Sequence, residues 1–148
     1  NLETGFYPLN GTDIIYSPNV HIIKEYDLNY IYKIQTLSFI AGPGLRNPYL
    51  TTENKINETD KNILKDKIRN ILNISYKYKH IPVLGALGCG AWKNPPKEVA
   101  IIYKEVLEEY NGVFEKIIFG ILETRHYNES NYSIFKNILE KKNDEINT

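Results

Sequence analysis

The chain has 148 residues and carries 18 Lys and Arg against 18 Asp and Glu, so no basic surplus favours nucleic acid or an anionic membrane surface. Its length fits one domain over residues 1–148 with a real core, and no apolar run is long enough to span a bilayer or reads as a signal peptide. The lone Cys89 excludes an internal disulfide and fits a reducing, cytoplasmic setting, and one Cys with three scattered His gives no metal-ligand spacing.

Residues 1–10 carry little pattern beyond Phe6, Tyr7 and Leu9. Residues 13–17 form a short apolar run cut by Pro18, and residues 19–26, rich in β-branched and aromatic side chains, read as a strand. Asp27-Leu28-Asn29 is turn-like, with residues 30–34 as a hairpin partner. Residues 35–41 read as a further buried strand, ending in the loop Gly42-Pro43-Gly44. Residues 45–57 are polar surface loop.

From residue 59 to 79, Ile63, Leu64, Ile68, Ile71, Leu72 and Ile74 recur with the period of an amphipathic helix, capped by Asn57 or Thr59. Residues 81–87 read as a buried strand and break into Gly88-Cys89-Gly90-Ala91-Trp92. Asn94 as N-cap, with Pro95 and Pro96 in the first turn, predicts a helix over 96–110, ended by Asn111-Gly112. Residues 114–122 form another apolar strand, and residues 128–130 cap a last helix through Lys141. Strand and helix alternate through the second half, which predicts parallel crossovers with ligands at the carboxyl ends of the strands. That rule places residues 42–47, 88–92 and 123–126 on one rim.

Residues 88–92 are the first candidate site. Glycines let the backbone approach phosphate oxygens, the following helix adds its positive end, and Trp92 offers an aromatic face to a sugar or base. The plainer alternative is a strand-to-helix turn with a packed Trp. The loop matches neither a Walker loop nor a dinucleotide fingerprint. On the second loop, Arg46 can clamp a phosphate and Asn47 can bond a ribose hydroxyl or base edge, against the alternative of an exposed turn. Glu123, Arg125 and His126 follow a strand end and reach the same rim, or form a charged loop. Cys89, near a helix start, is expected to be stabilised as a thiolate, but no spacing ties it to His21, His80 or His126 as a nucleophilic pair.

The segment VLGALGCGAWKNPPKEVA, followed by FEKIIFGIL and NYSIFKNIL, resembles the C-terminal half of microbial-type poly(ADP-ribose) glycohydrolases, a branch of the macrodomain superfamily. FYPL, IIYSPNVHIIK and LSFIAGPGLRNP resemble the same family upstream. The resemblance implies an α/β fold, a macrodomain-like three-layer α/β/α arrangement with a mixed sheet, lacking the N-terminal strands and helix of the full domain. It implies an ADP-ribose-like nucleotide as ligand, with Gly88, Cys89, Gly90 and Ala91 wrapping the diphosphate and Trp92 packing near the distal ribose. Gly42 with Arg46 and Asn47 would lie nearby, although Gly42-Pro43-Gly44 departs from the family's alanine-rich pattern.

The family's triple-glycine loop and Gln-Glu-Glu motif, which carries the catalytic acid, do not occur in this sequence. With no Met and a start on Asn1, the chain is expected to be a fragment with both motifs upstream. Three functions follow as expectations: an ADP-ribose binder without hydrolysis in this form, an ADP-ribosyl glycohydrolase whose catalytic portion lies outside the chain, or an interaction domain with a degenerate pocket. No cofactor and no metal are expected, no nucleic acid or membrane partner is expected, and an exposed sheet edge would invite a homodimer.

Overall fold

A computed structural model describes residues 8–123 and 130–140. Strand β1 (Ile15–Lys24) and strand β2 (Tyr30–Ala41) form an antiparallel hairpin. The run through Pro18 is not cut. Proline lacks the N–H a ladder needs, so the pairing slips between Ser17 and Val20, with Asn19 at φ 54°, and then resumes. The tip is the expected turn: the Glu25 N–H donates to the Asn29 carbonyl, the Leu28 N–H donates to that of Glu25, and Asp27 accepts from the Asn29 N–H. Residues 30–34 and 35–41 are one strand rather than two. It is not the buried strand its composition predicts, for Leu37 and Phe39 are each about half exposed. Apolar content marks a strand but cannot say whether a second layer covers it.

Helix α1 (Glu58–Lys77) begins where the pattern places it. The Asn57 side chain accepts from the Asp60 N–H at 3.0 Å, and Glu58 and Asp60 put negative charge on the first turn, where the helix dipole favours it. Its far end receives the hairpin: the Tyr16 ring stacks on Tyr78 with centroids 4.6 Å apart, and its hydroxyl lies 2.7 Å from His80 Nε2.

Strand β3 (Val83–Leu84) runs parallel to strand β4 (Ile118–Phe119), and helix α2 (Pro96–Glu109) makes the crossover. Both strands are only two residues long, much shorter than the apolar runs around them. Leu84 is buried, whereas Ile81 and Val83 are exposed. Helix α3 (Asn131–Leu139) starts on a capping box between Ser130 and Ser133.

The core lies among the three helices. Leu64, Ile68 and Leu72 of α1 meet Val99, Ile102, Tyr103 and Val106 of α2, with Phe135 of α3, all essentially without exposure. Burying side chains of this kind contributes about 1.5–3 kcal/mol each. Tyr103 packs edge-on against Phe119 and Phe135, with centroids 5.2 and 6.0 Å away, which ties the β3–β4 pair to the helices. Outside this core, Lys61 and Lys65 pair with Glu105, and Arg69 forks onto Glu109, joining α1 to α2 across the surface. Parallel and antiparallel pairs thus coexist in a mixed α/β fold whose strands form two two-stranded pieces.

Candidate functional site

The site begins where β2 and β3 release the chain. Residues 42–47 leave β2 and residues 85–95 lead from β3 to α2, and the two loops touch backbone to backbone. A Cβ placed on Gly44 would fall 2.6 Å from the Gly88 Cα and 2.7 Å from its nitrogen, so no side chain fits there. Gly88 has φ +75°, and a Cβ on it would sit 2.7 Å from the Asn94 side-chain amide. Turn bonds shape the second loop: Cys89 N–H to the Ala86 carbonyl, Lys93 N–H to Gly90, and Asn94 N–H to Gly88. The N–H groups of Gly90, Ala91 and Trp92 donate to no partner among the described residues.

Asn94 does not cap α2. The N-cap is Pro95, without a side-chain bond. The Asn94 side chain is turned inward and is 1% exposed. Its Nδ2 donates to the Leu45 carbonyl at 2.8 Å, across to the other loop, and to the Trp92 carbonyl at 3.3 Å. Its Oδ1 is buried with no hydrogen-bond partner among the described residues. Because Pro95 and Pro96 lack N–H groups, the helix start offers fewer free donors than a generic one, and Glu98 adds a negative charge to its first turn.

Lys67 is the charged group that sequence reading missed. It sits inside the apolar stripe of α1, between Leu64 and Ile68, and is only 3% exposed. Its Nζ donates to the Pro43 carbonyl at 2.6 Å. Burial lowers its pKa, and the nearby Asp13 charge partly opposes that. A lysine at an apolar position of the helical period was the available signal.

A cavity of about 660 Å³ opens beside the first loop. Residues 41–46 form one wall, with Ile63 and Lys67 of α1 behind them and Trp92 at the edge. Gly42, Arg46 and Trp92 therefore share this cavity, whereas Gly88, Cys89, Gly90 and Ala91, which precede Trp92 in the chain, do not line it. Asn47 is exposed at φ 51° and does not line the cavity. Glu123 is exposed and lines it neither. Arg125 and His126 fall outside the described residues.

Cys89 is not an activated thiol. Burial pushes it up to about 12, opposite to the expected thiolate stabilisation, and its Sγ faces the Leu87 carbonyl at 3.8 Å. Two of the histidines are engaged elsewhere, His80 with Tyr16 and His21 with Thr36. No cluster of His, Cys, Asp and Glu suited to a metal ion occurs among the described residues, nor does any helix long and apolar enough to cross a membrane.

Fold and site together define a macrodomain-like α/β protein with two glycine loops joined beside a cavity. No protein-family model matches the sequence, and no curated protein does at a significant level. Solved structures do. The chain is similar to poly(ADP-ribose) glycohydrolase from Deinococcus radiodurans, solved with ADP-ribose, at 27% identity and a TM-score of 0.73 over 86% of this chain and 52% of that one. The apo form of the same enzyme matches with the same TM-score and identity. Poly(ADP-ribose) glycohydrolase from Thermomonospora curvata shares the fold at 22% identity and a TM-score of 0.71, over 84% of this chain and 46% of that one. The chain is thus glycohydrolase-like in fold and spans about half the length of the structures it matches.

Proposed function

We propose that this chain binds ADP-ribose, or a nucleotide derived from it, across the two joined loops and without hydrolysing it in this form. The observation that carries the reading is the backbone contact of Gly44 with Gly88, beside a cavity that Arg46 and Trp92 share. The N–H groups of Gly90, Ala91 and Trp92, without a partner among the described residues, suit phosphate oxygens, which accept several donors at once. Arg46 adds a guanidinium whose fork matches a phosphate, and Trp92 adds a flat apolar face for a ribose or base. The similarity to an enzyme solved with ADP-ribose supports the same ligand class. No carboxylate is among the residues lining the cavity, so the described residues supply no acid there to protonate a ribosyl leaving oxygen.

Calorimetric titration of the 148-residue chain with ADP-ribose tests the reading. Saturable binding is expected, and Trp92→Ala should weaken it about tenfold, the equivalent of about 1.4 kcal/mol of lost aromatic contact. A folded chain that takes up no ADP-ribose overturns the proposal, and leaves a pocket completed outside these residues, a different nucleotide, or an interaction domain with a degenerate pocket. The second reading, an ADP-ribosyl glycohydrolase, is favoured by the enzymes the fold matches. On that reading the catalytic portion lies outside these 148 residues, so release of ADP-ribose from poly(ADP-ribose) by a longer chain carrying the triple-glycine and Gln-Glu-Glu motifs, and not by these residues alone, would establish it.

A further inference from the structure

We propose that Asn94 is a positioning residue that locks the two loops into one rigid rim, holding Arg46 and Trp92 in register across the cavity. The bonding pattern carries this. One buried amide group donates to a carbonyl on each loop, to Leu45 at 2.8 Å and to Trp92 at 3.3 Å. Each of those carbonyls belongs to a residue beside or within the proposed ligand contacts, since Leu45 precedes Arg46 in the chain. The amide also fills the space over Gly88, whose Cβ would strike it, while Gly88 in turn excludes a side chain at Gly44. Asn94, Gly88 and Gly44 therefore stack in sequence, and displacing any one of them releases the next.

From the opposite side, Lys67 grips the Pro43 carbonyl, so the first loop is held at alternate carbonyls by a helix and by the second loop. A capping asparagine would be interchangeable with Ser, Thr or Asp, because a cap needs only an acceptor oxygen. Asn94 works through its donor, and its acceptor has no partner among the described residues. That difference makes the role testable. The consequence for ligand rests on the binding reading above, whereas the locking of the loops does not.

Trp92 is the only tryptophan in the chain, so its fluorescence, excited at a wavelength the tyrosines do not absorb, reports the rim. The experiment compares the full chain with Asn94→Ala, Asn94→Asp and, as a control for general destabilisation, Leu72→Ala in the core of α1. Acrylamide quenching of Trp92 should rise at least twofold in both Asn94 variants and stay unchanged in Leu72→Ala. Asn94→Asp keeps the shape and the acceptor but loses the donors, so wild-type quenching in that variant overturns the proposal. Equal increases in Leu72→Ala and the Asn94 variants overturn it as well. Where Asn94→Ala does not fold, Asn94→Asp, which keeps the side-chain volume, is read alone, with the same expectation.

A parallel titration with ADP-ribose separates the two claims. If wild type binds, the Asn94 variants should lose at least tenfold in affinity and Leu72→Ala should not; equal losses in all three count against the lock. If wild type does not bind, the functional reading fails alone and quenching decides the role of Asn94.

Discussion

Gly88 shows how tightly one residue is constrained at this site. Alanine there would have to hold a positive φ and place its methyl 2.7 Å from the Asn94 amide. Backbone strain and the clash together should cost about 2–4 kcal/mol, read as a fall in the thermal midpoint of Gly88→Ala. Gly90, two residues on, has open space around its Cβ position and tolerates alanine with little loss of stability, so the pair separates glycine required by packing from glycine that is not. Cys89 gives a second prediction at this scale. With the folded thiol at about 12 and the unfolded reference near 9, alkylation at pH 9 should be about a hundredfold or more slower in the native chain than in the denatured one. Because the folded value is raised, its contribution to stability is complete below pH 9 and is lost as pH rises towards 12. The glycines and Trp92 were legible in the sequence as the loop that leads from a strand to a helix. The sequence could not reveal Asn94 or Lys67 in their roles, because each acts through a carbonyl distant in the chain. Asparagine before two prolines reads locally as a cap, and lysine on a helix reads locally as solvated charge.

Among the elements, helix α1 was the most legible, since its apolar period and its Asn57 cap depend on residues within a few positions of one another. Removing that cap with Asn57→Ala should cost about 1 kcal/mol in chemical denaturation, the usual effect of losing a side-chain acceptor at a helix start. The strands were legible as apolar runs but not in length or exposure. Pairing needs a neighbour, and β3 and β4 meet over two residues only. The links between α1 and α2 are ionic at the surface. Glu109 is held below the usual carboxylate range by the Arg69 guanidinium; for Glu105, burial opposes ionisation, but bonds to Lys65 and Lys61 prevail and lower it. Depressed carboxylates contribute stability above their unfolded values and lose it as pH falls through the folded ones, so acid should weaken this contact below about pH 4.5. The effect is small for groups this exposed, and Glu109→Gln should change stability by about 0.5 kcal/mol or less.

Across the molecule, apolar residues are unevenly covered. The helical core is closed, whereas Tyr26, Leu28, Tyr30, Tyr32, Ile34, Leu37 and Phe39 stand exposed along the hairpin. Apolar side chains left exposed on a strand pair favour association, so sedimentation at rising concentration should show self-association, reduced by Tyr32→Lys. The contact of Gly44 with Gly88 has a kinetic consequence of its own. It joins segments separated by the whole of α1 and β3, through bare backbone, the Asn94 amide and the Lys67 bond to the Pro43 carbonyl. Long-range contacts of this kind close late in folding and open early, after and before the local helical structure they depend on. In a urea titration the Trp92 emission should shift at a lower concentration than the far-ultraviolet helical signal, with the rim coming apart as a sub-global unit while the three helices remain packed.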